Sequence, residues 1–274
     1  MIDMGQNSVP IPDLRIVPVS SLRPHEEHDS QRSEPLIERI RTETVMINPP
    51  LVAPMRDGEF VILDGANRFH VFSELGYPHI LVQVARYDSG FVHLSNWQHV
   101  IAGWSLDKFI ERIEQIPQVR LTKDSDSTVI ASILPRSGEL ITVHCDTISP
   151  QATNATLCQF VSVYQRNAKL HRMASSNVDE VWEAFPDAFA QITFPPYYPA
   201  DIIAAAQHHA YLPPGISRHI VEGRALRVNY PLAVLCDPNT SLEQKNADLR
   251  RWLQNKLANR QVRYYAEATY QFDE

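Results

Sequence analysis

The spacing of apolar positions changes from continuous to helical within residues 60–75. An apolar run ends before Gly65, and apolar residues then recur at Phe69, Phe72 and Leu75. A short apolar run bounded by a turn residue is typical of a buried strand, and recurrence every third position is typical of a helix. The pattern therefore predicts a strand, a tight turn and a helix, in that order.

Two pairs of apolar runs predict β-hairpins. The first pair, residues 51–55 and 59–63, is joined by Asp57 and Gly58, a strong hairpin signal. The second pair, residues 128–134 and 140–144, is joined around residues 136–138. Further strands are predicted at residues 14–19, 79–84, 219–222, 226–230 and 262–270, with the third and fourth joined at Gly223. Helices are predicted at residues 34–43, 105–116, 155–172, 178–185, 199–209 and 241–258, and polar loops at 20–29 and 96–99.

The order of these elements predicts the fold class. Strand, loop, helix, hairpin, helix and strand within residues 14–84 are typical of a small α/β or α+β unit. We predict a mixed α+β fold with a loose leader at residues 1–13, an N-terminal domain at 14–90 and a C-terminal α/β domain at 91–274.

The turn after residue 63 has two interpretations. Gly65 lets another group approach the backbone, and the unpaired amides of the following helix suit an anion, to which Arg68 would add a forked pair of hydrogen bonds. Alternatively, Asp64 caps the helix and Arg68 is a solvated surface residue. From these residues alone the structural interpretation is favoured.

A second segment of interest begins with the Pro-Pro-Gly sequence at residues 213–215. This sequence predicts a fixed turn. Ser217, Arg218 and His219 follow it, so hydrogen-bond donors are delivered by a rigid segment.

Composition excludes several classes of protein. Apolar residues make up 44% of the chain, as in folded globular proteins. The formal net charge of −7 argues against general nucleic-acid binding, which depends on clustered Lys and Arg. The sequence contains neither a secretory signal nor an apolar stretch long enough for a membrane span. The three widely spaced cysteines favour reduced thiols, so we predict a cytoplasmic protein without a structural metal site.

Common nucleotide-binding and catalytic motifs are missing from the sequence. No phosphate-binding P-loop or Rossmann glycine fingerprint occurs, and neither does the protein-kinase signature set or the serine-hydrolase elbow. Any nucleotide chemistry would therefore use a different scaffold.

Three segments together resemble the free L-serine kinases of the ParB/sulfiredoxin-like superfamily. They are residues 14–26, which end in His25 and Glu26; the turn from Leu63 to Arg68; and the run from Pro213 through His219 to residues 262–270. The segment Asn96 to His99 is similar to the Trp-x-His-type segment of that family. The likeness covers nearly the whole chain in the same order and favours the siderophore-associated branch, which includes the enzyme that supplies O-phospho-L-serine for staphyloferrin B assembly.

This resemblance implies a ParB/sulfiredoxin-like N-terminal nucleotide-binding domain, a C-terminal domain that completes the serine site, and a set of residue roles. Glu26 would accept the proton of the serine hydroxyl, and Asp64 would assist through Mg²⁺ or the nucleophile. The phosphates of ATP or ADP would bind Gly65, Ala66, Asn67 and Arg68, and the amino acid would contact Trp97, His99, Ser217, Arg218 and His219. Asn67 departs from the family, where His is usual; asparagine donates a hydrogen bond but carries no charge.

Two other hypotheses remain open at this point. A ParB-like regulator that binds DNA or a small ligand without catalysis is one, although the acidic composition opposes DNA binding. A nucleotide hydrolase, in which water replaces serine, is the other. The sequence leaves open whether the chain forms a homodimer.

Overall fold

The computed structural model of the protein describes residues 11–28, 30–124, 128–147 and 149–265. The helices are α1 Ser30–Thr42, α2 Ala66–Glu74, α3 Leu106–Glu114, α4 Pro150–Asn167, α5 Val178–Ala184, α6 Pro199–Gln207, α7 Leu232–Cys236 and α8 Leu242–Ala258. The strands are β1 Asp13–Pro18, β2 Leu22–Pro24, β3 Val45–Met46, β4 Leu51–Pro54, β5 Phe60–Asp64, β6 His79–Val84, β7 Val92–Asn96, β8 Gln98–Ala102, β9 Val119–Thr122, β10 Val129–Pro135, β11 Ile141–Cys145, β12 Lys169–Met173, β13 Ala188–Thr193, β14 Ser217–Val221 and β15 Tyr230–Pro231. The predicted mixed α+β class is confirmed.

The N-terminal half is built on a five-stranded sheet with the order β1-β6-β4-β5-β2. The predicted hairpin of β4 and β5 is confirmed, with Asp57 in its turn at a φ of 59°. The predicted loop at residues 20–29 is wrong in part, because β2 pairs in parallel with β5 at the sheet edge. This short strand delivers the segment that carries Glu26.

Both faces of this sheet are buried. Successive side chains on a strand point to opposite faces of the sheet, and here both sets of side chains lie in hydrophobic clusters. Leu51 and Leu63 lie in one hydrophobic cluster together with residues of the second sheet. Val52 and Ile62, their neighbours in the chain, lie in the other cluster with residues of α1, α2 and α8. Burial on both faces explains why these strands have continuous apolar sequences.

A six-stranded antiparallel sheet has the order β12-β8-β13-β10-β11-β9. Its β10–β11 hairpin was predicted, whereas its other four strands were not. The predicted loop at residues 96–99 is wrong because these residues end β7 and begin β8, and the predicted helix at 155–172 is wrong at its end because residues 169–173 form β12. Strand β12 pairs with β8, which places Arg172 opposite His99.

The C-terminal segment returns to the N-terminal sheet. β14 pairs with β7 and β15 with β3, so the predicted hairpin around Gly223 is wrong. Helix α8 packs on β1, and the side-chain amide of Asn246 donates to the Ile16 carbonyl and accepts from the Ile16 N–H. This amide satisfies the backbone of an edge strand.

Other predictions concern the chain ends and the general character of the protein. The predicted strand at residues 262–270 is not found over 262–265, and its remainder lies outside the described residues, as do residues 1–10 of the predicted leader.

The three cysteines are free thiols, as predicted. Among the described residues, none of the helices combines the length and apolar character that a bilayer crossing needs. The domain boundary at residue 90 stays a prediction.

Candidate active site

A cavity of about 840 Å³ opens between the N-terminal sheet and the turn at residues 213–215. Its volume is within the usual range for small-molecule sites. It is lined by every predicted site residue except His99, namely Glu26, Asp64, Gly65, Ala66, Asn67, Arg68, Trp97, Ser217, Arg218 and His219. Segments that are far apart in sequence therefore meet at one site.

The start of α2 forms one wall of the cavity. Gly65 precedes the helix with a φ of 101°, a conformation that favours glycine, and a Cβ at this position would lie 3.0 Å from the Cβ of Pro50. Gly65, not Asp64, is the N-cap residue, and no side-chain hydrogen bond caps the helix at that position. The first backbone amides of α2 therefore suit an anion in the cavity.

Two arginines flank Asp64 at this wall. Arg224 donates to Oδ2 of Asp64 at 2.9 Å, and Nη2 of Arg68 lies 3.5 Å from the same oxygen. Burial raises the pKa of Asp64, but the charges of Arg68 and Arg224 outweigh burial and hold that pKa below its usual value. Arg68 also donates to the Asn48 carbonyl at 2.5 Å. Asp64 is therefore an ionised carboxylate between two cations.

Arg224 was not predicted as a site residue. It donates to Oε1 of Gln83 at 3.1 Å and to the Pro49 carbonyl at 2.8 Å. Gln83 is buried on β6 and itself donates to the Gly223 carbonyl. These long-range hydrogen bonds bring Arg224 to the wall, and the local sequence gives no sign of them.

Glu26 faces the turn at residues 213–215. Its Oε2 accepts a 3.0 Å hydrogen bond from the Gly215 N–H, and backbone hydrogen bonds join Leu212 to His25 and Glu27. Burial raises the pKa of Glu26, and its neighbours, first among them His25, oppose that rise only in part. A carboxylate with a raised pKa is a better proton acceptor near neutral pH than an ordinary one.

The side chain of Ser217 is hydrogen-bonded to His25. Nδ1 of His25 donates to the Ile62 carbonyl at 2.6 Å, so in the neutral ring Nε2 accepts from the Ser217 hydroxyl, 2.7 Å away. With its proton engaged in this way, the Ser217 oxygen is an acceptor for a ligand.

Trp97 and Arg218 form a stacked pair at the opposite wall. The guanidinium carbon of Arg218 lies 4.6 Å from the Trp97 ring centroid, a cation–π distance. The backbone N–H of Trp97 donates to the Ile216 carbonyl, which fixes this strand end beside the turn. The pair presents a planar cation to the cavity.

His219 is held as a neutral ring. Its Nε2 shares a 2.8 Å hydrogen bond with the Tyr87 hydroxyl. Burial is the main cause that lowers the pKa of His219 to about 3. Among the described residues, its buried Nδ1 has no hydrogen-bond partner. The nearby Leu63 backbone opposes the fall in the pKa of His219 only in part.

His99 lies behind the cavity wall rather than on it. It is fully buried, its Nε2 is 2.9 Å from the Gly215 carbonyl, and its Nδ1 is 2.7 Å from the Tyr164 hydroxyl. Burial lowers its pKa to about 4. His99 thus contacts the Gly215 peptide and is not among the residues that line the cavity, and its predicted substrate contact stays a prediction.

Charges on the cavity wall favour anions. The lining includes four arginines and three carboxylates, although the whole chain has a formal charge of −7. The arginines are Arg68, Arg172, Arg218 and Arg224, and the carboxylates are Glu26, Glu27 and Asp64. A ligand with several negative groups is therefore matched to this site.

The fold and this cavity define an α+β protein with a site for an anionic small molecule. No family model matches the chain. The chain is 24% identical over 263 residues to the ATP-dependent L-serine kinase SbnI of Staphylococcus aureus, covering 94% of this chain and 96% of that kinase. It is also 30% identical over 118 residues to an ATP-dependent L-serine kinase of Staphylothermus marinus, covering 42% of this chain and 46% of that kinase.

Solved structures show the same overall fold. C-terminally truncated SbnI from Staphylococcus aureus superposes with a TM-score of 0.71 at 22% identity, covering 91% of this chain and 97% of that one. A free serine kinase in complex with AMP superposes with a TM-score of 0.69 at 14% identity, covering 84% and 98%. The resemblance to free L-serine kinases is confirmed.

Proposed function

We propose that this protein is a kinase that transfers the terminal phosphoryl group of ATP to the hydroxyl of free L-serine. The observation that carries the proposal is that the anion-binding start of α2 and the Glu26 carboxylate line the same cavity. Both curated relatives are named ATP-dependent L-serine kinases, which favours ATP over ADP and catalysis over a purely regulatory role.

The nucleotide phosphates bind at the start of α2. The amides near Gly65 and Ala66 supply donors, Asn67 adds a neutral donor, and Arg68 supplies positive charge. Arg224 lies on the same wall and joins them as a second cation. Phosphoryl transfer needs this charge neutralisation more than it needs covalent chemistry.

The donor set at this wall fits Mg²⁺. In the described part of the chain, no cluster of three His, Cys, Asp or Glu residues forms a protein cage for a metal. Mg²⁺ usually binds one or two carboxylates and completes its coordination with phosphate oxygens and water. Asp64, ionised and on the cavity wall, would hold the ion, which when bound neutralises charge on the nucleotide phosphates.

The amino acid binds between Trp97 and the strand that begins at Ser217. Arg218 pairs with the substrate carboxylate through its planar fork, supported by stacking on Trp97. The Ser217 oxygen accepts from the substrate ammonium, because its own proton is directed to His25. Neutral His219 completes this wall.

Glu26 acts as the general base in the transfer. The serine hydroxyl oxygen attacks the terminal phosphorus of ATP, its proton passes to Glu26, and the bond from phosphorus to the bridging oxygen breaks to release ADP. The Gly215 N–H holds Oε2 of Glu26, and in the described residues Oε1 accepts no hydrogen bond. The raised pKa of Glu26 suits it to this role.

The test is a phosphoserine assay. Purified protein is incubated with L-serine, ATP and Mg²⁺, with ADP in a parallel reaction, and the product is measured by mass spectrometry. Serine-dependent phosphoserine formation supports the proposal, whereas equal nucleotide hydrolysis with and without serine would identify a hydrolase instead.

Glu26→Gln tests the role of the base. We expect turnover to fall roughly 10²- to 10⁴-fold, the usual contribution of a general base, while the Kd for nucleotide stays within about threefold. Glu27→Gln is the matched control, because it removes the adjacent carboxylate that also lines the cavity. Loss of nucleotide binding in Glu26→Gln would assign Glu26 to the donor site instead.

A further inference from the structure

Strand β12, which sequence patterns did not predict, brings Arg172 to the cavity wall. Nη2 of Arg172 donates to the Pro214 carbonyl at 3.0 Å. A Cβ at Gly215 would overlap the guanidinium carbon of Arg172. The guanidinium therefore lies directly against the Gly215 backbone, in space that any other residue at this position would occupy.

The Gly215 peptide is held on its other side by His99. Nε2 of His99 lies 2.9 Å from the Gly215 carbonyl, and this oxygen can only accept, so the ring nitrogen donates. The Tyr164 hydroxyl, 2.7 Å from Nδ1, fixes the ring orientation from within the core. The Gly215 N–H, on the opposite end of the residue, donates to Oε2 of Glu26.

We propose that Arg172 and His99 are positioning residues for the general base: they fix the Gly215 turn, and its N–H orients the Glu26 carboxylate toward the acceptor hydroxyl. This inference rests on the proposed kinase function and deepens it. It also gives His99 a role through the turn instead of the substrate contact expected from the family resemblance.

Simple packing of the turn does not account for the whole arrangement. An apolar side chain in place of Arg172 could pack against the turn equally well. The guanidinium also brings a positive charge, which lowers the pKa of Glu26 and opposes the effect of burial. The other titratable groups that act on Glu26 are His25 of its own segment and Asp64 at the end of β5. Arg172 therefore acts on the orientation and on the protonation of the same carboxylate.

Arg172→Gln and Arg172→Lys separate these two effects. We expect kcat for serine phosphorylation to fall about 10- to 100-fold in both variants, since a small misplacement of a catalytic group has effects of this size. In Arg172→Gln one of the groups that lower the pKa of Glu26 is lost, so the effect of burial is less opposed and the acidic limb of the kcat profile moves to higher pH. In Arg172→Lys the charge remains and the acidic limb stays in place.

Two controls distinguish positioning from general destabilisation. Arg136→Gln removes an arginine that likewise donates to backbone carbonyls, among them those of Pro186 and Ala188, but is not among the residues that line the cavity, and it should leave kcat unchanged. The nucleotide Kd, which should stay within about threefold of wild type, reports on the donor side of the cavity. His99→Phe, which removes the donor to Gly215 but keeps an aromatic ring, should lower kcat in the same way as Arg172→Lys.

A double-mutant cycle gives the decisive readout. In a Glu26→Gln background, Arg172→Lys should have no further effect on residual turnover, because residues that act through one group are strongly non-additive. Additive losses, or a wild-type kcat and pH profile in Arg172→Gln, would overturn the inference while leaving the kinase function intact. Failure of wild-type protein to form phosphoserine would overturn the function itself. If Arg172→Gln does not fold, the cycle with Arg172→Lys decides.

Discussion

Two carboxylates on one cavity wall have pKa values shifted in opposite directions. Burial raises the pKa of Glu26, whereas Asp64, also affected by burial, has a lowered pKa because Arg68 and Arg224 flank it. Opposite shifts in neighbouring acids separate a proton acceptor from a permanent anion. This division of roles matches a base and a phosphate-side carboxylate.

The same shifts predict opposite effects on stability. At neutral pH the ionised form of Glu26 is disfavoured in the folded protein, so Glu26→Gln should raise the melting temperature by about 2–4 °C, the change that roughly 1 kcal/mol produces in a chain of this size. Asp64→Asn should lower the melting temperature, because it leaves Arg68 and Arg224 without their shared anion. Differential scanning calorimetry at pH 7.5 measures both.

The pH dependence of these differences follows from linkage. The advantage of Glu26→Gln should disappear below about pH 4, where the glutamate is protonated in the folded and unfolded chains alike. The contribution of Asp64 is present above its unfolded pKa of about 3.9 and is lost as the pH falls through its lower folded pKa. A melting temperature that falls in Glu26→Gln at neutral pH would contradict the burial of an ionised carboxylate.

At the scale of elements, the turn at residues 213–215 shows why glycine is needed there. Gly215 has a φ of 77° and its missing Cβ leaves room for Arg172, whereas Gly58 has nearly the same φ of 76° with nothing within 4 Å of a Cβ. Ala at either position meets backbone strain of roughly 1 kcal/mol or more. Only at residue 215 does it also displace a guanidinium.

Gly215→Ala and Gly58→Ala form a matched pair. We expect kcat to fall at least about tenfold in Gly215→Ala, since moving Arg172 and the peptide reorients Glu26, and to stay near wild type in Gly58→Ala. Steady-state kinetics measure the difference, and thermal melting checks that both lose similar stability from strain. Equal kinetics in the two variants would mean that the turn does not control the base.

Local signals explain which elements could be predicted from the sequence. The strand, turn and helix around Gly65 depend on neighbours in sequence, so their positions could be predicted, whereas the phosphate-binding role of residues 65–68 came from the family resemblance and stays a prediction. Strand β12 was absorbed into a predicted helix because its pairing with β8 is a long-range interaction that overrides local preference. Arg172 and Arg224 were missed for the same reason: distant hydrogen bonds, not local patterns, bring them to the cavity.

At the scale of the whole molecule, the two larger hydrophobic clusters share the N-terminal sheet. One face of β4 and β5 packs with residues of the second sheet, and the other face packs under α1, α2 and α8. Helix α8 is distant in sequence, yet it covers the sheet that bears the start of α2. Sequence patterns predicted α8 as a helix but gave no information on where it packs.

Because α8 covers this sheet, its buried face should control the stability of the active site as well as of the helix. Leu249 is 1% exposed in the cluster with α1 and α2, and Leu257 of the same helix is 43% exposed. Leu249→Ala should reduce the free energy of unfolding by roughly 2–5 kcal/mol, and Leu257→Ala should change it by no more than about 0.5 kcal/mol. Urea titrations followed by circular dichroism measure both. The cavity takes its walls from elements of both clusters. The Leu249→Ala protein should therefore lose nucleotide binding and secondary structure at the same urea concentration, which should be lower than that of the wild type. Nucleotide binding that persists after the secondary structure is lost would show that the cavity does not depend on this helix.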